Sequence, residues 1–436
     1  MDKHIPLKRL KILCLFDYAA NTGFATVSKN IVPRLKQYFG TDNLVLDICA
    51  INYFGDKYQE DKNTTVFSAL KSMPIKKMPN LKDDFGRFGF LNVLAMSNDD
   101  NGIDKVPPWE MGYDGIFIIQ DPGIINSLVL DLEVIQQRNK KEKRKQFKSI
   151  VYFPVDHNIT SSAMISRMDF FDEIVTYNEF CRDQILKLRP AWRRKLRVIP
   201  HGISLGDFYP LPADQASDFR RQYFGQNAGK FIILNLNRNQ SRKDIPCTIF
   251  AFEELRKQNK DVFLYLHMNP KDPLGWDLRG LLAQTSLIEG QDFMFPPVAQ
   301  ENHGADLPTL NGIYNACDVY VTTTLGEGWG LTVTEAMACK LPVICPLNTS
   351  LIDISGSGKR AYCLENLYPI AQIADNTKRE QCDFVEVADR MQQVYRDKKS
   401  GNEILKNKVD EAFSYVQTLD WDIVALEWGN LMKKTF

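Results

Sequence analysis

Residues Gly326–Pro342 read GEGWGLTVTEAMACKLP, the form of a glycine-rich turn that enters a helix. Glu327 and Glu335 are eight residues apart in this stretch. That spacing does not bring two side chains to one face of a helix, so Glu327 belongs in the turn and Glu335 about one turn inside the helix. Gly328 and Gly330 let the backbone approach a ligand closely, and the N–H groups of a helix's first turn favour an anion such as a diphosphate. Two carboxylates flanking such a site can accept hydrogen bonds from the hydroxyls of a sugar or a ribose.

Outward from this turn, short apolar runs alternate with longer amphipathic ones. Towards the N-terminus the expected strands are 10–17 (LKILCLFD), 44–51, 115–120, 149–155, 173–177 and 196–199, with helices over 26–39 and 178–188. At 200–213 (PHGISLGDFYPLPA) the rhythm breaks into a Pro- and Gly-rich linker. It then restarts with strands at 230–235, 262–267, 319–323 and 342–345 and helices over 248–258, 278–287 and 334–339. Strands interleaved with helices imply an α/β fold of parallel sheets covered on both faces. Two doubly wound domains are expected, 1–203 and 204–415, with 416–436 crossing back to the first. Open parallel sheets bind ligands at the carboxyl ends of their strands, so two facing sheets place a site in the cleft between them.

The bulk properties agree with this size and class. A chain of 436 residues exceeds one ordinary core. Lys+Arg and Asp+Glu are both 54, so there is no basic excess of the kind a dedicated nucleic-acid binder carries. Nine scattered cysteines without a C-x-x-C pair read as reduced thiols of a cytoplasmic protein. The first residues (MDKHIPLKRLK) show no signal-peptide pattern, and no apolar run is long enough to span a membrane. Five histidines and the scattered cysteines give no metal-ligand spacing, so neither a metal nor a cofactor beyond a bound donor is expected.

The segment EGWGLTVTEAMACKLPV resembles the E-x7-E element of the family-4 retaining glycosyltransferases, which have the GT-B fold of two Rossmann-like domains. The resemblance implies that Glu327 holds hydroxyls of the transferred sugar and Glu335 the donor ribose. Backbone amides of Gly328, Trp329, Gly330, Leu331 and Thr332 would take the diphosphate. Upstream, 235–243 (NLNRNQSRK) follows a strand and resembles the family's G-R-x4-K element, with Asn237 in place of its Gly. Arg238 and Lys243 are then diphosphate ligands, roles that suit a bidentate guanidinium and a point charge. Thr22-Gly23-Phe24, between the first strand and first helix, resembles the loop that closes over the donor phosphates or reaches the acceptor.

Asp156 and His157 in YFPVDHN end a strand of the first domain and face the cleft. Family members often carry a His or Asp near here, and an acceptor hydroxyl must lose a proton as it attacks. An Asp that caps the next turn beside a locally satisfied His is the other reading, and the two stay open. SGSGK at 355–359 is not a phosphate loop, because Asp353 stands where the first Gly is required and Arg360 where Ser or Thr is. Asp420-Trp421-Asp422 has a metal-binding D-x-D form but falls after the alternating core, as a helix start.

The resemblance thus implies a metal-independent enzyme moving a hexose or pentose from a nucleoside diphosphate to an acceptor hydroxyl. UDP is the expected nucleotide on frequency, though no residue separates it from GDP or ADP. Other GT-B chemistries, a sugar-nucleotide epimerase or a phosphorylase, and a non-catalytic sugar-nucleotide-binding module are the alternatives. The acceptor is open among a glycan, a lipid-linked sugar, a protein, a small metabolite and a modified base in DNA. Its recognition is expected within 50–145, where the resemblance is thin. Arg138–Lys148 (RNKKEKRKQFK), seven cations in eleven residues, would meet phosphates if the acceptor were polyanionic, and is otherwise a solvated helix face.

Overall fold

The computed structural model describes residues 9–20, 22–69, 84–96, 112–159, 161–297, 304–372 and 376–436. Parts of the stretch expected to recognise the acceptor, 70–83 and 97–111, lie outside the described residues, as do the first eight residues.

Two sheets form the frame. The first joins β1 (Leu10–Asp17), β2 (Leu44–Ile51), β3 (Tyr58–Asp61), β4 (Thr64–Ser68), β5 (Gly115–Ile119), β6 (Lys148–Phe153), β7 (Glu173–Thr176) and β8 (Leu196–Val198). Their order is β3-β4-β2-β1-β5-β6-β7-β8. Every pairing is parallel except β3 with β4. The apolar run of β1 is central because both its faces are buried. Ile12, Cys14 and Phe16 enter one core, while Leu13 and Leu15 enter the other.

The second sheet is all parallel, in the order β11-β10-β9-β12-β13-β14. It comprises β9 (Phe231–Asn235), β10 (Val262–Leu266), β11 (Phe293–Met294), β12 (Val319–Val321), β13 (Val343–Pro346) and β14 (Tyr362–Leu364). A separate antiparallel hairpin, β15 (Leu367–Gln372) with β16 (Thr377–Cys382), follows it. In each sheet the winding reverses once, between β1 and β5 and between β9 and β12, and a crevice opens at such a reversal beyond the carboxyl ends of the strands.

The chain crosses between the sheets twice, and the crossings lie side by side. Ile203 N–H donates to the Leu419 carbonyl (2.8 Å) and Trp421 N–H to that of Ile203 (3.3 Å). Helix Trp421–Thr435 then packs on helix Gly23–Phe39, with Arg34 Nε 2.6 Å from Asp422 Oδ1 and the Tyr38 hydroxyl donating to Asn430 Oδ1 (2.7 Å). Gly429 is where these helices touch, since a Cβ there would lie 2.5 Å from the Tyr38 ring. Trp421, Trp428, Tyr152, Tyr177 and Trp329 share one apolar cluster that runs through both domains.

Several boundaries differ from the sequence reading. The helix expected over 26–39 begins at Gly23, where Thr22 caps it by accepting from Ala25 N–H (3.1 Å). The helix expected over 334–339 begins at Leu331. The one expected over 278–287 ends at Leu282, because the Thr285 hydroxyl takes the Leu282 carbonyl (2.7 Å) and the chain turns. Asp420 accepts from Asp422 N–H (2.7 Å) at the start of its helix, so the D-x-D form is a cap. SGSGK is the end of helix Ser350–Ser355, turned by Gly356 at φ +59°. All nine cysteines are buried and unbridged. Among the described residues, no helix is long and apolar enough to cross a membrane.

Candidate active site

Both winding reversals face the same cleft. From the second domain come the loop after β9, carrying Arg238 to Lys243, and the loop after β12, carrying Glu327. From the first come Asp17 and Thr22-Gly23 after β1, Asp121 after β5, and Asp156-His157 after β6.

Glu327 is buried and bound by two cations. Lys243 Nζ donates to its Oε1, and Arg242 Nη1 donates to its Oε2 (3.1 Å) and to the Gly326 carbonyl (3.1 Å). Burial alone would raise the Glu327 carboxyl, but Lys243 and Arg242 outweigh it and hold the pKa at about 2. The converse applies to Lys243: burial and then the Arg242 charge pull it down to about 8, against the pull of Glu327. A turn at Ser241–Lys243, ended by Asp244 in left-handed conformation (φ +45°), aims both cations at the glutamate. The loop is laced to the chain after β12, with Leu325 N–H donating to the Arg242 carbonyl (2.8 Å) and the Thr323 hydroxyl to that of Asp244 (2.8 Å).

Arg242, rather than Arg238, is the arginine that pairs with Glu327. Arg238 lies on the exposed part of the loop, its Nε donating to Asp272 Oδ2 (2.7 Å). Asn237, at the position of the family's glycine, is buried and donates to Asn235 Oδ1 (2.8 Å), so it braces the loop from below.

Beyond Glu327 the chain enters helix Leu331–Ala338 through Gly330 (φ +111°). The first-turn N–H groups of Leu331 and Thr332 have no intrahelical acceptor by geometry, and the helix dipole adds positive potential there. The Thr332 hydroxyl meets that of Tyr320 (2.7 Å). Glu335 accepts from the Tyr314 hydroxyl (2.7 Å), and burial raises its carboxyl to about 7. Trp329 is buried against His201, ring centroids 5.6 Å apart. Just past the helix, Lys340 takes the left-handed conformation (φ +56°) that glycine usually fills after a helix end.

Gly328 serves contact between the domains: a Cβ there would lie 2.4 Å from that of Pro154, just past β6. Asn178 of the first domain also donates to the Gly328 carbonyl (2.8 Å). A Cβ on Gly326 would lie 2.1 Å from the Asp156 carbonyl oxygen. Asp156 accepts from Arg379 of β16 and shares a contact with His157 Nδ1 (3.0 Å). His157, Arg379 and Arg242 together overcome burial and hold its carboxyl well below the usual carboxylate range. A Cβ on Gly23 would meet the Leu331 side chain at 3.6 Å, so the first-domain loop reaches the helix start. The Thr22 hydroxyl donates to Asp17 Oδ2 (2.7 Å), which also accepts from Asn52.

Asp17 and Asp121 escaped the sequence reading. Asp121 precedes helix Pro122–Lys141 without capping it, and burial together with nearby Asp156 raises its carboxyl to about 6, against Arg242. The available signal was positional, an acid at each strand end flanking the winding reversal.

The basic run 138–148 lies elsewhere. It covers the end of helix Pro122–Lys141 and leads into Lys148, the first residue of β6. The cleft lies at the far end of that strand, roughly 17 Å away at the usual rise per residue. Arg138 and Arg144 contact Glu142, Lys145 contacts Asp114 and Lys148 contacts Asp172.

Known proteins resemble this chain in part of its sequence and in its fold. Residues 304–379, which include Glu327 and Glu335, match the family model described as glycosyl transferases group 1. A probable sucrose-phosphate synthase of Thermosipho melanesiensis is 25% identical over 181 residues, 42% of this chain and 39% of that one. A D-inositol 3-phosphate glycosyltransferase of Kineococcus radiotolerans is 27% identical over 197 residues, 43% of each chain. The chain thus spans about two-fifths of the length of these curated relatives. Among solved structures, the sucrose-phosphate synthase of Thermosynechococcus elongatus superposes with a TM-score of 0.67 at 20% identity, covering 98% of this chain and 99% of that one. The Anabaena HepE protein, solved in complex with UDP-glucose, gives 0.63 at 13% identity, covering 98% and 100%. The chain has the GT-B fold of these structures, and its residues 304–379 match the glycosyl transferases group 1 model.

Proposed function

We propose that the chain is a retaining glycosyltransferase that moves a hexose or pentose from a nucleoside diphosphate to an acceptor hydroxyl, without a resident metal. The observation that carries this reading is the buried Glu327 between Arg242 and Lys243, beside the first turn of helix Leu331–Ala338. A diphosphate entering there finds two cations, two first-turn amides and the positive end of a helix. Those groups neutralise the charge that grows on the leaving group as the glycosidic bond breaks. Arg238 joins them by exchanging Asp272 for a phosphate oxygen. Glu327, ionised, accepts hydrogen bonds from sugar hydroxyls, and Glu335 with Tyr314 receives the ribose. Asp156 and His157, opposite, hold the reacting sugar or take the acceptor's proton.

A uridine donor is favoured by the Anabaena neighbour solved with UDP-glucose. Retention follows the family resemblance. In this reading the acceptor enters from the first-domain side, near Thr22-Gly23 and Asp121, and a glycan or lipid-linked sugar suits a cleft whose basic run faces away.

Release of nucleoside diphosphate from a panel of UDP-, GDP- and ADP-sugars tests the reading. Turnover is expected with one nucleotide, abolished in Glu327→Ala and in Lys243→Ala with circular dichroism unchanged. Near wild-type turnover in either variant would remove the site from the account. An epimerised donor, or a sugar phosphate formed with inorganic phosphate, would indicate another GT-B chemistry.

A further inference from the structure

The hairpin β15–β16 belongs by sequence to the second domain, yet it reaches Asp156 of the first. Arg379 of β16 has a side chain only 2% exposed. Its Nη1 donates to the Asp156 carbonyl (2.9 Å), and its Nη2 to both carboxylate oxygens (3.2 Å each). Its Nε donates to the Thr377 hydroxyl (2.9 Å), which fixes the plane of the guanidinium. The same Asp156 Oδ1 lies 3.0 Å from His157 Nδ1. The same hairpin grips the cation loop, with Gln372 Nε2 donating to the Ser241 hydroxyl (2.6 Å) and Gln381 Nε2 to Asp244 Oδ2 (3.0 Å). These contacts bracket Arg242 and Lys243.

We propose that Arg379 is a positioning residue that, through Asp156, fixes the tautomer and orientation of the His157 imidazole for the transfer reaction. The inference rests on the glycosyltransferase reading given above.

A carboxylate that receives a guanidinium on its oxygens carries no proton and can only accept. The contact at His157 Nδ1 is then an N–H donated by the ring, which leaves Nε2 as the acceptor of the neutral imidazole. A hydroxyl of the sugar or of the acceptor donates to Nε2. The order Arg379–Asp156–His157 follows the general logic in which a buried acid selects the working tautomer of a histidine. Because Arg379 comes from the second domain, the orienting contact exists only while the domains meet at Gly326, Gly328 and Pro154.

The test uses the full chain with 15N-labelled histidine at pH 9, above the ordinary imidazole range, His157→Gln assigning the signal. Wild type is expected to show the Nδ1–H tautomer. Arg379→Met should give a mixture or the Nε2–H form and lower kcat at least tenfold, while UDP affinity stays within threefold. Arg379→Lys should restore part of both. In Asp156→Asn, with Arg379 intact, the amide N–H donated to Nδ1 should invert the tautomer, and this variant decides the matter if Arg379→Met does not fold. Retention of the Nδ1–H tautomer or wild-type kcat in a folded Arg379→Met, or retention of that tautomer in Asp156→Asn where Arg379→Met does not fold, would overturn the proposal. If wild type turns over no sugar nucleotide, the functional reading fails while the tautomer measurement still decides what Arg379 does.

Discussion

In the proposed site, Lys243 makes donor binding depend on pH. Burial and the Arg242 charge lower its pKa to about 8, with Glu327 opposing them. Below that value the lysine is charged and meets a diphosphate as a cation; above it the ammonium is lost. UDP affinity should thus be level to about pH 7.5 and then fall as the competent fraction shrinks, roughly tenfold by pH 9. At pH 8 about half a proton should be taken up per UDP bound, because the diphosphate restores the charge. The phosphate's own second ionisation, near 6, is complete across this range. Glu327→Gln removes the anion that supports Lys243 and should move the break at least about one unit lower, since close partners of this kind are worth that much. Calorimetric titration of UDP between pH 7 and 9.5, in buffers of different ionisation heat, reads both affinity and proton uptake. Level affinity with no proton uptake throughout would mean that Lys243 does not meet the diphosphate.

Gly328→Ala places a methyl group 2.4 Å from the Pro154 Cβ; it should cost about 1–3 kcal/mol by urea denaturation and lower transfer at least tenfold, whereas wild-type activity would show that the domains need not meet there. Trp428 is fully buried with its indole N–H unpartnered among the described residues. Trp428→Ala should cost about 3–5 kcal/mol, and Trp428→Phe clearly less because it removes the orphaned donor; equal losses on denaturation would contradict this packing. Thr22→Ala removes both the helix cap and the Asp17 contact; about 1 kcal/mol of stability should go together with a raised KM, and an unchanged KM would detach this loop from substrate binding.

The turn into helix Leu331–Ala338 and the acid at its start were legible because they are written in consecutive residues. Glu327 and Glu335 flank a turn whose glycines permit few other structures, and Lys243 follows a strand at fixed distance. Arg242 was not legible as the partner of Glu327: which of two neighbouring cations turns inward depends on the left-handed Asp244 and on the threonines after β12. Asp17 and Asp121 are single acids at strand ends about a hundred residues apart, and they become neighbours only because β5 pairs directly with β1 although β2, β3 and β4 separate them in the chain. Arg379 was hidden in a polar hairpin, TKREQC against the proline-bearing LYPIAQ, that shows no apolar alternation. Its partner Asp156 lies 223 residues away. The two-domain alternation was visible throughout because buried parallel strands are near-continuous apolar runs, while exact helix starts were set by caps such as Thr22 and turns such as Gly330.

The central claim, that a nucleoside-diphosphate sugar is held at Glu327 by the cations beside it, is tested most directly by a crystal structure of the chain with UDP-glucose. The account predicts diphosphate oxygens at about 3 Å from Lys243 Nζ and from the amides of Leu331 and Thr332, with Glu327 accepting from the sugar hydroxyls. A donor bound away from the helix start, with the Glu327–Lys243 pair undisturbed, would contradict it.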